Sequence, residues 1–126
     1  MTNREDSNSK TISIVGAGPG GLFLAILLRQ HRPDWRIRIW ERNAPDATFG
    51  FGVVFSDRTV EALEAADPTS LAQIRADFQS WSDIEVATWR GVRRTGGHGF
   101  SAIARHRLLA ILQQRAADLG IEVKYN

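Results

Sequence analysis

One stretch near the N-terminus decides the fold of this chain: Ile12-Ser13-Ile14-Val15-Gly16-Ala17-Gly18-Pro19-Gly20-Gly21-Leu22-Phe23-Leu24-Ala25. It places a short apolar β-branched run, a Gly-x-Gly-x-x-Gly turn and the start of an apolar helix in direct succession. In this pattern Gly16 allows a sharp strand-to-helix turn, Gly18 lets backbone N–H groups approach a pyrophosphate, and Gly21 lets the helix pack closely on the strand. The start of a helix attracts anions because its first N–H groups have no intrahelical partner. The stretch therefore predicts a dinucleotide-binding loop, formed by Gly16, Ala17, Gly18, Pro19, Gly20 and Gly21.

A second strand pattern with an acidic residue at its end follows the helix. Arg36-Ile37-Arg38-Ile39-Trp40 leads into Glu41, which lies about 20 residues after Gly21, the offset expected for the acid that binds an adenosine ribose. A carboxylate there would repel the 2′-phosphate of an NADP-type cofactor, which favours FAD or NAD. The alternative is a glycine-rich turn with a surface glutamate, but the combined order of strand, turn, helix, strand and acid favours the nucleotide site.

The composition of the chain limits its class of function. Among 126 residues, 16 are Lys or Arg and 14 are Asp or Glu, so the net charge of +2 does not point to nucleic acid or a membrane surface as a partner. Cysteine is absent, which excludes disulfides and thiolate sites, and the three His lack metal-ligand spacing, so we expect no metal. The polar residues 1–10 predict a flexible tail without a signal pattern, and no apolar run is long enough to span a membrane. We expect a cytoplasmic protein.

The hydrophobic pattern predicts an α/β fold. Residues 22–30 form an apolar helix, which we expect to be buried on all sides and to end before Pro33. A helix that ends at Gly120 and a final strand over 121–125 follow a long central segment. In that segment we predict a helix capped by Ser56 or Asp57, a helix from Thr69 or Ser70 through Phe78, and a hairpin over 84–95 that turns at Arg90-Gly91.

The order of these elements is that of half a doubly wound sheet. We therefore predict a Rossmann-like, three-layer half-domain over residues 11–126, with an insertion at about 44–104 that begins a substrate domain. The chain is short for a complete dinucleotide oxidoreductase, so we expect it to be part of a longer protein.

Four segments together resemble a known family: the loop 16–21, Glu41-Arg42, Gly50-Phe51-Gly52, and residues 103–112 (Ile-Ala-Arg-His-Arg-Leu-Leu-Ala-Ile-Leu). The family is that of the FAD-dependent aromatic hydroxylases, the p-hydroxybenzoate hydroxylase-like flavin monooxygenases. Residues 50–56 and 96–101 look most like the branch that contains salicylyl-CoA 5-hydroxylase and 2-aminobenzoyl-CoA monooxygenase. The resemblance runs from about Thr11 to the C-terminus. It implies FAD as the bound cofactor, NAD(P)H as co-substrate with O₂, and a small aromatic substrate, in this branch a CoA thioester.

The resemblance also adds residues to the expected cofactor site. It implies that Arg42, Phe51, Gly52 and Val53 line the cofactor, and that Arg105, the first residue of an Arg-x-x-Leu-x-x-x-Leu pattern, contacts it. A cation in the first turn of a helix opposes the helix dipole, which is easier to explain if Arg105 faces an anion such as the pyrophosphate; a solvated Arg105 is the alternative. No catalytic residue is predicted, because the resemblance implies that the chemistry resides in the flavin.

Three further features between Gly50 and Arg115 each allow two interpretations from the sequence. The glycines around Phe51 let backbone approach a flat group or merely relieve a bend. Residues 90–115 contain six Arg and no acid, which would suit the phosphates of a CoA thioester or a solvated face with acidic partners elsewhere, the second being favoured. His98 lies among glycines and either reaches the flavin or substrate or forms structural hydrogen bonds.

The family's later Asp-Gly and Gly-Asp motifs are absent from the chain. We therefore expect an N-terminal fragment that is inactive alone and that self-associates through uncovered apolar faces and an open sheet edge. Two other functions stay open from the sequence: a different FAD- or NAD-dependent oxidoreductase, and a non-catalytic nucleotide-binding module.

Overall fold

The computed structural model of the protein describes residues 9–126. Its secondary structure in chain order is β1 (Thr11–Val15), α1 (Pro19–His31), β2 (Arg36–Glu41), β3 (Gly52–Ser56), α2 (Asp57–Ala66), α3 (Pro68–Ala76), β4 (Gln79–Trp81), β5 (Ile84–Thr88), β6 (Gly91–Thr95), β7 (Phe100–Ala104), α4 (Arg105–Asp118) and β8 (Glu122–Tyr125). The chain divides into two compact units, and the division falls within α4. The first unit ends at Thr48 and resumes with Leu109–Asn126, and the second unit is Phe49–Leu108.

A parallel sheet with the strand order β1-β2-β8 forms the first unit. Ile14 pairs with Ile39, and Ile39 pairs with Val123, so these apolar side chains share one face of the sheet. Ile37 and Ile39 are buried, whereas Arg36 and Trp40, on the opposite face, are exposed. The alternation along β2 therefore buries one face of the sheet, and the predicted α/β class is confirmed.

Helix α1 connects β1 to β2. Gly18 is its N-cap, Pro19 occupies its first turn, and the Arg32 N–H donates to the Leu28 carbonyl at its C-terminal end (2.7 Å). Its core side consists of Leu22, Ala25 and Ile26, but Leu24 is 49% exposed. The expectation that this helix is buried on all sides is therefore wrong. A helix with 3.6 residues per turn presents only part of its circumference to a sheet, however apolar the rest of its sequence is.

The second unit contains a three-stranded antiparallel sheet with the order β3-β7-β4 and a separate hairpin, β5-β6. The hairpin is confirmed, and Gly91 at its turn has φ +121°. Strands β4 and β7 are missing from the sequence-based prediction. They are short and rich in Ser, Ala and Gln, and the structure pairs them across the chain, with Ser80 Oγ 2.8 Å from Ser101 Oγ.

The helices of the second unit refine the predicted boundaries. Ser56 caps α2, since its hydroxyl accepts from the Thr59 N–H. Helix α3 begins at Pro68, one residue earlier than predicted, and ends at Ala76, before Phe78. Proline is well suited to the first helical turn because its φ is fixed near the helical value and its missing N–H is not needed there.

The sequence predicts an N-terminal tail over residues 1–10. Positions 1–8 of it lie outside the described residues. Lys10 adjoins β1, and its carbonyl accepts from the Arg36 N–H (2.8 Å). At the other end, α4 and Gly120, with φ +70°, confirm the predicted helix and its stop. Across residues 9–126, every helix is too short or too polar to cross a membrane.

Candidate nucleotide-binding site

The glycine loop joins the carboxyl end of β1 to the start of α1 in the first unit. Gly16 has φ +106°, a conformation that L side chains rarely adopt, and its N–H donates to the Trp40 carbonyl (2.7 Å). This bond ties the loop to β2. The sharp turn predicted at Gly16 is therefore confirmed.

Gly21 is required by the packing of α1 against the loop. A Cβ at this position would lie 2.0 Å from the Gly16 carbonyl oxygen and 3.4 Å from Ile14 Cγ2. Since real Cβ atoms do not approach backbone oxygen so closely, any larger residue must displace backbone. The close approach predicted for Gly21 is confirmed.

The other two loop glycines face open space. At Gly18 and Gly20, a Cβ would meet no atom within 4 Å. The first turn of α1 contains no acidic residue, so its N–H groups and the positive end of the helix dipole keep their attraction for an anion. This open, uncompensated helix start suits the pyrophosphate of a dinucleotide.

Glu41 lies against the glycine loop at the end of β2. Its Oε2 accepts from the Ala17 N–H (2.8 Å), and its Oε1 accepts from the N–H of Asn43 (2.9 Å) and from Asn43 Nδ2 (3.0 Å). The Ala17 N–H, followed by the Asn43 donors, lowers the pKa of Glu41 below its ordinary value, because hydrogen bonds to a carboxylate favour its charged form. The carboxylate is therefore ionised at neutral pH beside the loop.

A cleft opens at the carboxyl ends of these strands. About 400 Å³ in volume, it is lined by Val15, Gly16, Trp40, Glu41, Arg42 and Asn43. A neighbouring cavity of about 510 Å³ shares four of these residues and extends to Lys124, Tyr125 and Asn126. Open α/β sheets bind ligands at the carboxyl ends of their strands.

Sequence reasoning missed several residues of this cleft. Val15 is 89% exposed although it ends an apolar strand, and Asn43 holds the side chain of Glu41. Their position at the carboxyl ends of β1 and β2 is the signal that would have identified them. The amide of Asn43, two residues after the expected ribose-binding acid, is a further signal, since Asn side chains bind nearby groups in turns.

The remaining expected cofactor residues belong to the second unit. The Arg105 N–H donates to the Phe51 carbonyl (3.1 Å), and Gly52 pairs with Ala104, next to Val53 in β3. Phe51 is 98% exposed. The Nε of Arg105 is buried, and it has no hydrogen-bond partner within residues 9–126.

The backbone conformation at Gly50 and the close strand pairing at Gly52 explain why glycine occupies these two positions. Gly50 has φ +86°, which supports the interpretation that it relieves a bend. A Cβ at Gly52 would lie 3.3 Å from the Ile103 carbonyl oxygen, so the pairing of β3 with β7 favours glycine there. In the first unit, considered by itself, the open start of α1 fits an anionic dinucleotide such as FAD.

The arginines of residues 90–115 have acidic partners elsewhere in two cases. Arg94 Nη2 lies 3.0 Å from Glu85 Oε2, and Arg107 Nε lies 2.6 Å from Asp77 Oδ2. For these two, the interpretation as a solvated face is supported.

His98 forms a local contact: its Nε2 lies 3.2 Å from Thr95 Oγ1. This contact supports the interpretation that His98 forms structural hydrogen bonds. In the described part of the chain, no group of three or more His, Asp or Glu residues is arranged to hold a metal ion.

Comparison with known proteins identifies a family. A family model described as "FAD binding domain" matches residues 9–126. Salicyloyl-CoA 5-hydroxylase from a Streptomyces species is 46% identical over 114 residues, which cover 90% of this chain and 22% of that protein. Protodeoxyviolaceinate monooxygenase from Chromobacterium violaceum is 47% identical over 117 residues, which cover 90% of this chain and 31% of that protein.

Solved structures share the fold. The tetrameric form of 2-methyl-3-hydroxypyridine-5-carboxylic acid oxygenase superposes with a TM-score of 0.80 at 22% identity, covering 95% of this chain and 32% of that one. CtdE, solved in complex with FAD and a substrate, has a TM-score of 0.74 at 20% identity, covering 93% of this chain and 30% of that one. The chain thus spans about a fifth to a third of the length of the proteins it matches.

Proposed function

The chain belongs to the FAD-binding domain family, and from that premise we propose that it forms the N-terminal FAD-binding segment of a flavin-dependent aromatic monooxygenase that uses NAD(P)H and O₂. The observation that carries the proposal is the 2.8 Å hydrogen bond from the Ala17 N–H to Glu41 Oε2. It brings the acid suited to a ribose directly onto the loop suited to a pyrophosphate. These two groups adjoin each other in the adenosine half of FAD.

Each part of the first unit has a role in this proposal. The loop Gly16, Ala17, Gly18, Pro19, Gly20 and Gly21 presents its amides and the helix start to the pyrophosphate. Glu41 accepts from a ribose hydroxyl, and Arg42 lines the same cleft. Because Glu41 is anionic, the site disfavours a nucleotide with a 2′-phosphate.

The second unit contains the other residues that we propose to contact FAD. Arg105, whose Nε has no hydrogen-bond partner within residues 9–126, would donate to the FAD pyrophosphate. The flavin portion would contact Phe51, which is 98% exposed, and its neighbours Gly52 and Val53. Bound FAD supplies the redox and oxygen-transfer chemistry. The protein's contribution is to bind the cofactor, orient it and exclude water.

For the whole enzyme, the lead substrate class is an aromatic acyl-CoA thioester. The support is the 46% identity to salicyloyl-CoA 5-hydroxylase, together with the segments 50–56 and 96–101 that resemble its branch. Other small aromatic compounds are competing candidates for the substrate, because another similar protein is a protodeoxyviolaceinate monooxygenase. A cytoplasmic location stays a prediction.

An FAD titration of the full-length enzyme tests the cofactor assignment. Glu41→Ala removes charge-assisted hydrogen bonds, so we expect binding to weaken by ~1.5–3 kcal/mol. Glu64→Ala is the matched control, because Glu64 is an exposed carboxylate that pairs with Arg75 (2.8 Å) in the second unit. An unchanged Kd in Glu41→Ala would show that the ribose assignment is wrong.

The activity is tested by NAD(P)H oxidation coupled to hydroxylated aromatic product, with acyl-CoA and free-acid substrates compared. The longer enzyme should couple the two, and the 126-residue chain alone should not. Sedimentation should show that the chain alone self-associates, because Val15, Phe49 and Phe51 are highly exposed. Coupled turnover by a monomer of 126 residues would contradict the proposal.

A further inference from the structure

The carboxylate of Glu41 is held from two sides before any ligand arrives. One donor, the Ala17 N–H, contacts Oε2, and two donors, the backbone N–H and Nδ2 of Asn43, contact Oε1. An ionised carboxylate has about four acceptor positions, two on each oxygen. Oε1 is therefore fully occupied, and Oε2 keeps one free position.

We propose that Asn43 is a positioning residue for FAD: its amide occupies Oε1 of Glu41 and leaves Oε2 to accept a single ribose hydroxyl. The proposal rests on the proposed function, since it concerns the same site. It makes the proposed function more specific, since Glu41 would bind only one of the two ribose hydroxyls.

The amide of Asn43 adds a constraint that its backbone cannot provide alone. The backbone N–H groups of Ala17 and Asn43 hold one oxygen each, and the Asn43 amide, 3.0 Å from Oε1, fills the second acceptor position of that oxygen. Both donors of Asn43 also contribute to the lowered pKa of Glu41. After the Ala17 N–H, which is the largest cause of the lowered pKa of Glu41, Asn43 thus helps both to orient the acid and to keep it ionised.

Binding of FAD and of two analogues, which lack either the 2′- or the 3′-hydroxyl of the adenosine ribose, tests the proposal in the full-length enzyme. In the wild type, loss of one of the two hydroxyls should weaken binding at least several-fold more than loss of the other. Asn43→Ala should raise the Kd of FAD by about 5- to 30-fold, a moderate loss because Glu41 keeps its charge and its bonds to the two backbone N–H groups. It should also reduce the difference between the analogues, since Oε1 becomes available. Asn43→Ser, which keeps a short donor, should restore part of both effects.

A second measurement needs no FAD. The pKa of Glu41, followed by NMR in the apo enzyme, should rise in Asn43→Ala toward the ordinary value of a glutamate and recover in part in Asn43→Ser. A substitution that merely loosened the fold would lower the melting temperature without this selective change at Glu41. If either variant unfolds, the other supplies both readouts.

The outcomes separate this proposal from the proposed function. If Glu41→Ala weakens FAD binding but Asn43→Ala changes neither the Kd nor the difference between the analogues, the role of Asn43 is wrong and the FAD site stands. Equal loss for both analogues in the wild type would also overturn it, because both hydroxyls would then bind the acid. If Glu41→Ala itself has no effect, the ribose assignment fails, and the role of Asn43 in FAD binding fails with it.

Discussion

The candidate cofactor residues of the two units differ in how they are supported. In the first unit, the glycine loop, Trp40 and Glu41 are connected by hydrogen bonds of 2.7 and 2.8 Å, and Gly21 packs directly on the Gly16 carbonyl. In the second unit, Phe51 is almost fully exposed, and the Nε of Arg105 is buried without a partner. The first group is organised by its own contacts. The second group has an exposed aromatic side chain, Phe51, and a hydrogen-bond donor without an acceptor, Arg105 Nε.

This difference has a physical consequence. Preorganised backbone contacts bind a ligand without a large ordering cost, so the first unit should define where the adenosine half of a dinucleotide binds. A buried donor without an acceptor is unfavourable by itself, so Arg105 should gain from an anion that reaches it. We therefore expect substitution of the packed loop residue Gly21 to act on folding, and substitution of Arg105 to act on binding.

The largest expected effect is on folding of the first unit. Gly21→Ala places a Cβ 2.0 Å from backbone oxygen, and we expect a loss of more than about 3 kcal/mol in the free energy of unfolding, measured in urea. Gly20→Ala is the control in the same helical turn, because its Cβ would meet nothing within 4 Å. It should be neutral or stabilising by up to about 1 kcal/mol. Similar losses in both variants would show that the loop is not tightly packed.

The second effect is on cofactor binding by the second unit. Arg105→Ala should weaken FAD binding by ~1.5–3 kcal/mol, because it removes a donor to an anion. Arg107→Ala removes an exposed pair with Asp77 and should leave FAD dissociation unchanged. The two side chains point about 200° apart around the helix, so only one should face the cofactor. Equal effects, or a larger one at Arg107, would contradict the assignment.

A smaller effect is expected where a glycine in the second unit faces a side chain instead of backbone. A Cβ at Gly99 would lie 1.4 Å from Asp57 Oδ2, but a carboxylate can rotate away. We expect Gly99→Ala to cost about 1 kcal/mol of stability, less than Gly21→Ala. In the Asp57→Ala background the same substitution should cost almost nothing, which a double-mutant cycle measures. A cost that persists without the Asp57 carboxylate would point to a backbone clash here as well.

The smallest effect concerns the pH dependence of the first unit. The folded-state pKa of Glu41 is lowered, so the unfolded chain binds a proton more readily than the folded one. The stabilisation is present above the unfolded pKa, about 4.3, and is lost as pH falls through the folded pKa. Unfolding midpoints measured between about pH 6 and pH 3 should therefore fall less steeply in Glu41→Gln than in the wild type. Parallel pH profiles would mean that the bonds from Ala17 and Asn43 do not persist in solution.

Prediction from sequence succeeded where few residues decide the outcome. The sharp turn at Gly16 and the hairpin turn at Gly91 follow from left-handed backbone that glycine adopts without strain. The α/β class follows from apolar alternation in β2 and from the loop that precedes α1. It failed for the outer side of α1, where composition alone suggested burial of Leu24, which the structure leaves half exposed.

Local sequence was sufficient for the strand-turn-helix around Gly16 and for Glu41 at the end of the next strand, because hydrogen bonds and sterics within one βαβ unit specify both. Only the tertiary structure decided the pairing of β4 with β7 and the ion pair of Arg107 with Asp77. A strand pairing or a side-chain partner depends on which distant segments meet and on how each side chain rotates when they do. That information lies in the packed chain, since the same short motifs are compatible with many partners until packing selects one.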